Sequence, residues 1–280
     1  MKNRNIITAL GISILLFSGC GKEFLQKTPQ GKLTDDQVAT KDGVEQVLLG
    51  AYGIMNGNVS GTWGNYASAP SQWVFGEMIT DNAHKGSEAT DQPNMNALVS
   101  FNSNGANDNV STMWQVYYEG VLRANNVLKL LAIDQAGTKS VSAARAIEVQ
   151  AEARMLRAHY YFYMYRVFKN LPYIDENTST DEAKTVPNNT DILPKIIEDL
   201  VFAEANLPAT KINGESGRMD KRTAQAYLGK IYLYEKKYAE ALVLFKEVMA
   251  GKDITSMPFQ NNFDVTTEDG PEVILASKHA

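Results

Sequence analysis

The only cysteine of the 280-residue chain, Cys20, follows a largely apolar segment at residues 6–17. Lys2 and Arg4 precede that segment, and Ser18 and Gly19 separate it from the thiol. This order is typical of a bacterial secretory signal, because about 12 helical residues reach only ~18 Å of a ~30 Å hydrocarbon core. A thiol directly after small residues predicts a lipobox, in which Cys20 is acylated and residues 1–19 are removed. An ordinary signal peptide with an incidental cysteine is the alternative.

Glu77, Asp81 and His84 are the second group that could do chemistry, since they fall within eight residues. Their spacing suits a metal site at a helix end, and Glu77 with Asp81 could form a glycosidase carboxylate pair. Exposed residues at the end of a short helix explain the same pattern, and we favour that interpretation. The sequence contains no G-x-S-x-G, H-E-x-x-H or phosphate-binding glycine motif. We therefore predict that the protein is not an enzyme and uses no cofactor.

Asp175, Asn177 and Asp181 alternate with other residues as the first ligands of a calcium loop do. Thr180 stands where the sharp turn of an EF-hand needs glycine, and Val186 where the bidentate glutamate belongs. The pattern excludes an EF-hand and leaves a weak Ca²⁺ site or, as we prefer, a solvated polar loop.

The charge of the chain limits the partners that we expect. It has 27 basic and 32 acidic residues, and loss of residues 1–19 would remove Lys2 and Arg4. The remaining 25 basic residues give a net charge near −7. Nucleic acid and anionic lipid surfaces attract basic patches, so we predict no nucleic-acid partner. With Cys20 used as an anchor, the mature chain would have no thiol for a disulfide.

Helical periodicity of apolar residues predicts an all-α fold, beginning at a capping box formed by Thr34 and Gln37. Residues 223–250 favour two antiparallel helices with a break near Lys236, and their small and aromatic residues match one tetratricopeptide unit. His159 and Trp114 lie in apolar helices and are predicted to be core residues. The predicted helical segments are 34–55, 111–131, 147–168, 190–201 and 223–250.

The segment at residues 56–109 differs from the rest of the chain because it contains ten asparagines. We predict a long loop with one short helix at residues 72–79. Loops of this length are usually functional or disordered, and the aromatic residues Trp63, Tyr66, Trp73 and Phe101 argue against disorder. We therefore expect the functional residues here.

Five segments together resemble the SusD/RagB family of outer-membrane nutrient-binding lipoproteins of Bacteroidota. The sequence EARMLRAHYYF at 152–162, followed by FKNLP at 168–172, resembles the family's E-A-x-x-L-R-A-x-Y-Y-F helix and G-x-P exit. Asn170 replaces the usual glycine. The other similar segments are FLQKTPQG at 24–31, LGAY at 49–52, Trp114 with RANN at 123–126, and PEVI at 271–274, which resembles a short strand.

The resemblance implies a SusD-like fold, with tetratricopeptide-like helix pairs on one side and a loop-rich ligand face on the other. It implies a signal peptide at 1–19, a lipid-anchored tether at 20–33 and a helical domain at 34–280 that lacks the family's C-terminal part. Such proteins bind oligosaccharides or other glycans without turning them over. They sit in the outer membrane, exposed at the cell surface, as a lid on a TonB-dependent transporter of the SusC type.

Sugar binding requires flat aromatic platforms and side chains that reach hydroxyl groups. Within the loop-rich segment the candidate platforms are Trp63, Tyr66, Trp73 and Phe101, and the candidate polar ligands are Asp81, Asn82, His84 and Asn102. The alternative role of these aromatics is to anchor the loop to the helical core. The alternative function is a tetratricopeptide scaffold that binds only protein, and a glycoside hydrolase is a third hypothesis.

Overall fold

The computed structural model describes residues 33–59, 66–80, 82–252, 255–267 and 269–277. Cys20, Trp63 and Asp81 lie outside these ranges, as do the predicted signal peptide and almost all of the predicted tether. The described residues form helices and no β-strand. The α-helices are α1 (Asp35–Val38), α2 (Lys41–Gly53), α3 (Pro93–Val99), α4 (Asp108–Ala136), α5 (Ala143–Phe168), α6 (Thr180–Ala183), α7 (Leu193–Asn206), α8 (Lys221–Tyr234) and α9 (Tyr238–Met249). A π-helix (Trp73–Met78) and 3₁₀ helices (Ile54–Asn56, Ile212–Gly214, Phe259–Phe263) complete them.

The long helices α4 and α5 pack against each other at the centre of the core. They approach closely at Gly120, where an added Cβ would lie 2.6 Å from ring carbons of Tyr160. The buried Tyr160 hydroxyl then donates a 2.5 Å hydrogen bond to the carbonyl of Ala51 in α2. A glycine is therefore needed in α4 for the tyrosine of α5 to reach α2.

A buried carboxylate, Glu152 of α5, joins three parts of the fold. It accepts hydrogen bonds from the Tyr52 hydroxyl at 2.6 Å and from Arg218 Nη2 at 3.1 Å. Arg145 Nη2 lies 3.0 Å away. Burial raises the pKa of Glu152, although the positive charges of Arg218 and Arg145 oppose that shift. A buried charge of this kind is stable only while its partners remain.

Helices α8 and α9 form the predicted antiparallel pair, with Lys236 in a left-handed conformation at the turn. A Cβ added to Gly229 would lie 2.7 Å from Phe245 Cε1, so the small residue permits close packing as the tetratricopeptide pattern predicts. This prediction is confirmed. None of the helices in the described ranges is long and apolar enough to cross a membrane.

Two local predictions are wrong. Residues 271–274 form a turn and a bend instead of a strand. The carbonyl of Ile274 accepts from Lys211 Nζ at 2.6 Å and from Thr223 Oγ1 at 3.3 Å, so side chains take the place of a partner strand. The first helix is also not continuous. The predicted capping box begins the four-residue α1, and Thr40 then caps α2 by accepting from the Gly43 amide.

Candidate functional site

The predicted short helix at residues 72–79 is a π-helix over Trp73–Met78. The amide of Ile79 donates to the carbonyl of Val74, which is the i to i+5 bond of that geometry. Val74 and Met78 are buried, and Val74 packs with Met95 and Leu98 of α3 in a small separate apolar cluster. Single π-turns occur frequently at functional sites, so the segment is a candidate on geometry as well as on composition.

Gln72 fixes the start of the π-helix to the core. Its Nε2 donates a 2.7 Å hydrogen bond to the Tyr117 hydroxyl of α4, and its Oε1 accepts from Arg166 Nη2 of α5 at 3.4 Å. The Tyr117 hydroxyl donates in turn to the carbonyl of Ser68 at 3.3 Å. Burial raises the pKa of Tyr117, so the phenol stays protonated and can donate. One glutamine therefore ties the aromatic loop to two core helices.

The structure brings two of the predicted platforms together. The rings of Tyr66 and Trp73 lie 6.3 Å apart between centroids with an interplanar angle of 53°. Tyr66 is 53% exposed, and Trp73 is half-buried against the small cluster below it. Tyr66 therefore presents aromatic surface to solvent, while Trp73 is held in place by the small apolar cluster.

Phe101, the third described platform, lies in a neighbouring groove and is 81% exposed. The groove has a volume of about 350 Å³. Trp114 packs edge-on against Phe168, which lines the groove, with 5.3 Å between the ring centroids. The residues lining this groove are Phe75, Ile79, Leu98, Phe101, Ser103, Asn104, Val110, Val167 and Phe168.

Three residues around the site have left-handed backbones without being glycine. Their φ angles are +55° for Gln72, +46° for Gln92 and +54° for Phe101. Gln72 precedes the π-helix, while Gln92 and Phe101 stand on either side of α3. Such conformations cost of order 1 kcal/mol or more each and concentrate at ligand-binding and switch regions. The surrounding packing holds the loop in this strained form.

The described polar candidates do not converge on the aromatic pair. Asn82, His84 and Asn102 are exposed. The backbone N–H of Asn102 donates to the carbonyl of Ala97 at 2.9 Å, and the backbone N–H of Asn82 donates to Thr80 Oγ1 at 3.2 Å. Among the described residues, no hydrogen bond or ring contact joins these three side chains to Tyr66 or Trp73. Their role as ligands stays a prediction, as do those of Trp63 and Asp81.

No group of three or more His, Cys, Asp or Glu side chains gathers into a metal site within the described ranges. In the acidic loop, Asp175 Oδ1 accepts from the Asn177 amide and from Thr178 Oγ1, both at 3.0 Å. Asp181 pairs with Lys184 at 2.8 Å. These oxygens therefore stabilise a local turn and the short α6. The prediction that His159 is a core residue is confirmed, since its Nδ1 lies 2.6 Å from the Tyr227 hydroxyl in a buried site.

Sequence reasoning missed Gln72 and most of the groove. From the sequence, Phe168 is placed only at the end of a helix, Val167 is not singled out, and α3 is not predicted. Met95 and Leu98 at helical spacing after Pro93 are a signal for α3. The tie between Gln72 and Tyr117 spans 45 residues and has no local signature.

Comparison with known proteins identifies the class to which this fold belongs. Residues 23–233 match the model of a SusD-like family described as "starch-binding associating with outer membrane". The match covers most of the chain, so the chain belongs to the SusD-like family. The all-α architecture with tetratricopeptide-like pairs agrees with that assignment.

Two curated relatives are called SusD-like proteins. One, from Bacteroides ovatus, is 27% identical over 236 residues, which is 83% of this chain and 39% of the relative. The other, protein P2 of Formosa agariphila, is 29% identical over 223 residues, which is 74% of this chain and 42% of the relative. The chain therefore spans about two-fifths of the length of the curated relatives it matches.

Solved structures show the same fold. A laminarin-binding SusD-like protein has a TM-score of 0.61 and 26% identity, with 75% of this chain and 43% of that chain covered. Surface glycan-binding protein A from Bacteroides uniformis has a TM-score of 0.68 and 23% identity, with 84% of this chain and 52% of that chain covered. The corresponding protein from Bacteroides thetaiotaomicron, in complex with laminarihexaose, has a TM-score of 0.62 and 20% identity, with 82% of this chain and 47% of that chain covered.

Proposed function

We propose that this protein is a non-catalytic, lipid-anchored binding protein that captures oligosaccharides at the outer membrane and passes them to a SusC-like TonB-dependent transporter. The observation that carries the proposal is the pairing of the exposed Tyr66 with the half-buried Trp73, which begins a π-helix that is tied to the core through Gln72. A pyranose ring has apolar C–H faces that pack on an aromatic ring, and a rigid support lowers the entropy lost on binding.

The chemistry of the surrounding groups fits a carbohydrate ligand. Hydroxyl-rich sugars need side chains that both donate and accept hydrogen bonds, as the exposed amides of Asn82 and Asn102 do. Phe101 and its groove supply a second apolar surface next to the pair. Trp63 and Asp81 belong to the same segment, and we assign them to the same ligand face.

The names of the relatives support glycans as the ligand class. The family description refers to starch, and two of the similar structures are named for laminarin binding or contain laminarihexaose. All of these proteins are named for binding and not for turnover.

The same proposal places Cys20 as the lipid anchor after removal of residues 1–19, with 20–33 as the tether and 34–280 as the SusD-like domain. The family match begins at residue 23, directly after the proposed anchor. The expected location is the outer membrane, exposed to the cell surface.

The first experiment is affinity electrophoresis of the purified protein in gels that contain single polysaccharides. The panel should include neutral glucans such as laminarin and starch, acidic plant polysaccharides and host glycans. Retardation by one class, without release of reducing ends, is the expected result. A folded and monodisperse sample that no glycan retards would contradict the proposal.

A tetratricopeptide scaffold that binds only protein is the second candidate function. It is favoured by large apolar side chains on the outer face of α8 and α9, which are exposed in the structure: Leu233, Tyr234, Tyr238, Leu242 and Val243. A scaffold of this kind would bind no glycan, so the same electrophoresis separates the two functions.

A further inference from the structure

Arg166, near the end of α5, has a cationic side chain with no acidic partner among the described residues. Its guanidinium lies 4.5 Å from the centroid of the Tyr163 ring and 5.3 Å from that of Phe162. The Nη2 atom makes one long hydrogen bond, of 3.4 Å, to Gln72. Its Nε is buried and has no acceptor. Within the described ranges no carboxylate lies at ion-pair distance from this guanidinium.

The other described arginines show how unusual this is. Five of them lie within ion-pair distance of a carboxylate, and Arg222 donates to the carbonyl of Val248 at 3.1 Å. The ion-paired arginines are Arg123, Arg145, Arg154, Arg157 and Arg218. The chain has more acidic than basic residues, so acidic partners are not scarce. Arg166 therefore keeps its capacity to bind an anion.

A second cation, Lys230, lies on α8, which contacts α5 through aromatic side chains. Lys230 of α8 is exposed, and it makes no ion pair with a described residue. Burial lowers the pKa of Lys230, and the positive charge of Arg166 lowers it further. The facing helices are joined at this level by the contact of Phe162 with Tyr227, whose ring centroids are 6.5 Å apart. Two neighbouring cations repel each other, and a bound anion would remove that repulsion.

Arg166 also adjoins the proposed ligand face. Gln72 contacts its guanidinium, and the next residue in the chain is Trp73, whose ring lies 6.3 Å from that of Tyr66 between centroids. A sugar chain that packs on the aromatic pair would have its next units near Gln72. Guanidinium groups bind carboxylates and sulfate esters through charge-assisted hydrogen bonds, which are stronger than neutral ones.

From this arrangement we infer that Arg166 and Lys230 form an anion subsite that selects an acidic glycan, one with uronate or sulfate groups. The inference rests on the proposed function, because it assumes that the Tyr66–Trp73 pair holds the sugar. It assigns the anionic group to the guanidinium of Arg166, next to Gln72.

The test compares affinities for polygalacturonate and alginate, which carry carboxylates, for carrageenan, which carries sulfate esters, and for neutral laminarin. The variants are Arg166→Gln, Arg166→Lys and Lys230→Gln. Lys195→Gln, which removes one exposed positive charge on α7, is the control for net charge. The wild type should bind one acidic class about tenfold more tightly than laminarin, and this preference should weaken with added salt.

Arg166→Gln should remove that preference, Arg166→Lys should keep part of it, and Lys195→Gln should leave it unchanged. Tighter binding of polygalacturonate and alginate would identify the anionic group as a carboxylate, and tighter binding of carrageenan would identify it as a sulfate ester. Should Arg166→Gln not fold by circular dichroism, the exposed Lys230→Gln variant carries the test, with a smaller loss of the preference. Equal binding of laminarin and acidic glycans, or an unchanged preference in both Gln variants, would overturn the inference and leave the proposed function standing. Absence of binding to any glycan would overturn both.

Discussion

The side-chain amide of Gln72 donates a 2.7 Å hydrogen bond to the hydroxyl of Tyr117, which lies 45 residues further along the chain. Gln72 has a left-handed backbone directly before the π-helix that carries Trp73. A strained residue persists only where its surroundings hold it, and this bond is one such restraint. The geometry of the candidate site therefore depends on a core tyrosine that does not itself face the ligand.

Removing that hydroxyl with Tyr117→Phe should loosen the loop. The half-buried side-chain amide of Gln72 would lose this acceptor and keep only a 3.4 Å hydrogen bond to the carbonyl of Ala69, at a cost of about 1–2 kcal/mol in the free energy of unfolding. Amide hydrogen exchange at residues 66–80 should become faster, because the restraint on the π-helix is weakened.

Tyr118→Phe is the matched control, since the Tyr118 hydroxyl donates to the carbonyl of Pro172 at 2.8 Å and does not contact the loop. It should lower the urea midpoint by a comparable amount without changing exchange at residues 66–80. Equal exchange of this segment in both variants would rule out the proposed restraint.

The buried His159 should make the protein sensitive to mild acid. Burial, helped by the positive charge of Arg166, lowers the pKa of this imidazole from 6.5 to about 3. The unfolded chain therefore takes up a proton between pH 6.5 and pH 3 that the folded chain does not. Its contribution to stability is complete above pH 6.5 and is lost as the pH falls, by a few kcal/mol in total.

Urea unfolding at pH 7, 5.5 and 4 measures this effect. His159→Gln removes the titrating group, so its stability should fall less steeply with pH than that of the wild type. Carboxylates that titrate in the same range affect both proteins alike. Parallel curves for the two proteins would show that His159 is not responsible.

The contact between α4 and α5 can be tested with two glycines in helices. Gly120→Ala places a methyl group 2.6 Å from the Tyr160 ring, and overpacking of this kind should cost about 1–3 kcal/mol. Gly50→Ala in α2 meets no atom within 4 Å and should be neutral or stabilising by up to about 1 kcal/mol, since alanine favours helix. Thermal unfolding distinguishes the two, and a Gly120→Ala protein as stable as the wild type would show that the helices are further apart than described.

Glu152→Gln should be among the most destabilising single changes in the chain. It removes the nearer of the two carboxylates around the buried Arg218, since Glu45 lies 3.7 Å away, and loss of one member of a buried ion pair costs about 3–5 kcal/mol. Glu198→Gln is the control, because Glu198 is exposed and its pairing with Lys195 should contribute less than about 1 kcal/mol. Chemical denaturation of both variants provides the comparison, and similar midpoints would mean that Glu152 is not buried as a charge.

The sequence predicts the helical parts of this fold well because their signals are local. The stripe before Phe168, the break at Lys236 and the small Gly229 can all be interpreted within one or two turns of helix. The loop at residues 56–109 is harder, since its shape depends on contacts such as that of Gln72 with Tyr117. The strand that the family resemblance implies at 271–274 does not form, because the carbonyl of Ile274 accepts hydrogen bonds from the side chains of Lys211 and Thr223.

The candidate site was predictable in residue types and not in geometry. Aromatic residues among asparagines indicated the region, and Tyr66 with Trp73 proved to be neighbours. Which residues line the groove around Phe101 follows from the packing of α3 against α4, and the sequence alone does not reveal that packing.

The central claim is that the Tyr66–Trp73 pair holds a sugar. It is tested most directly by isothermal titration of the glycan that retards the protein in gels. Tyr66→Ala and Trp73→Ala should each weaken binding at least about tenfold. Tyr238→Ala, which removes a tyrosine that is 62% exposed on α9, should bind as the wild type does. Unchanged affinity in both site variants, with their fold verified by circular dichroism, would contradict the claim.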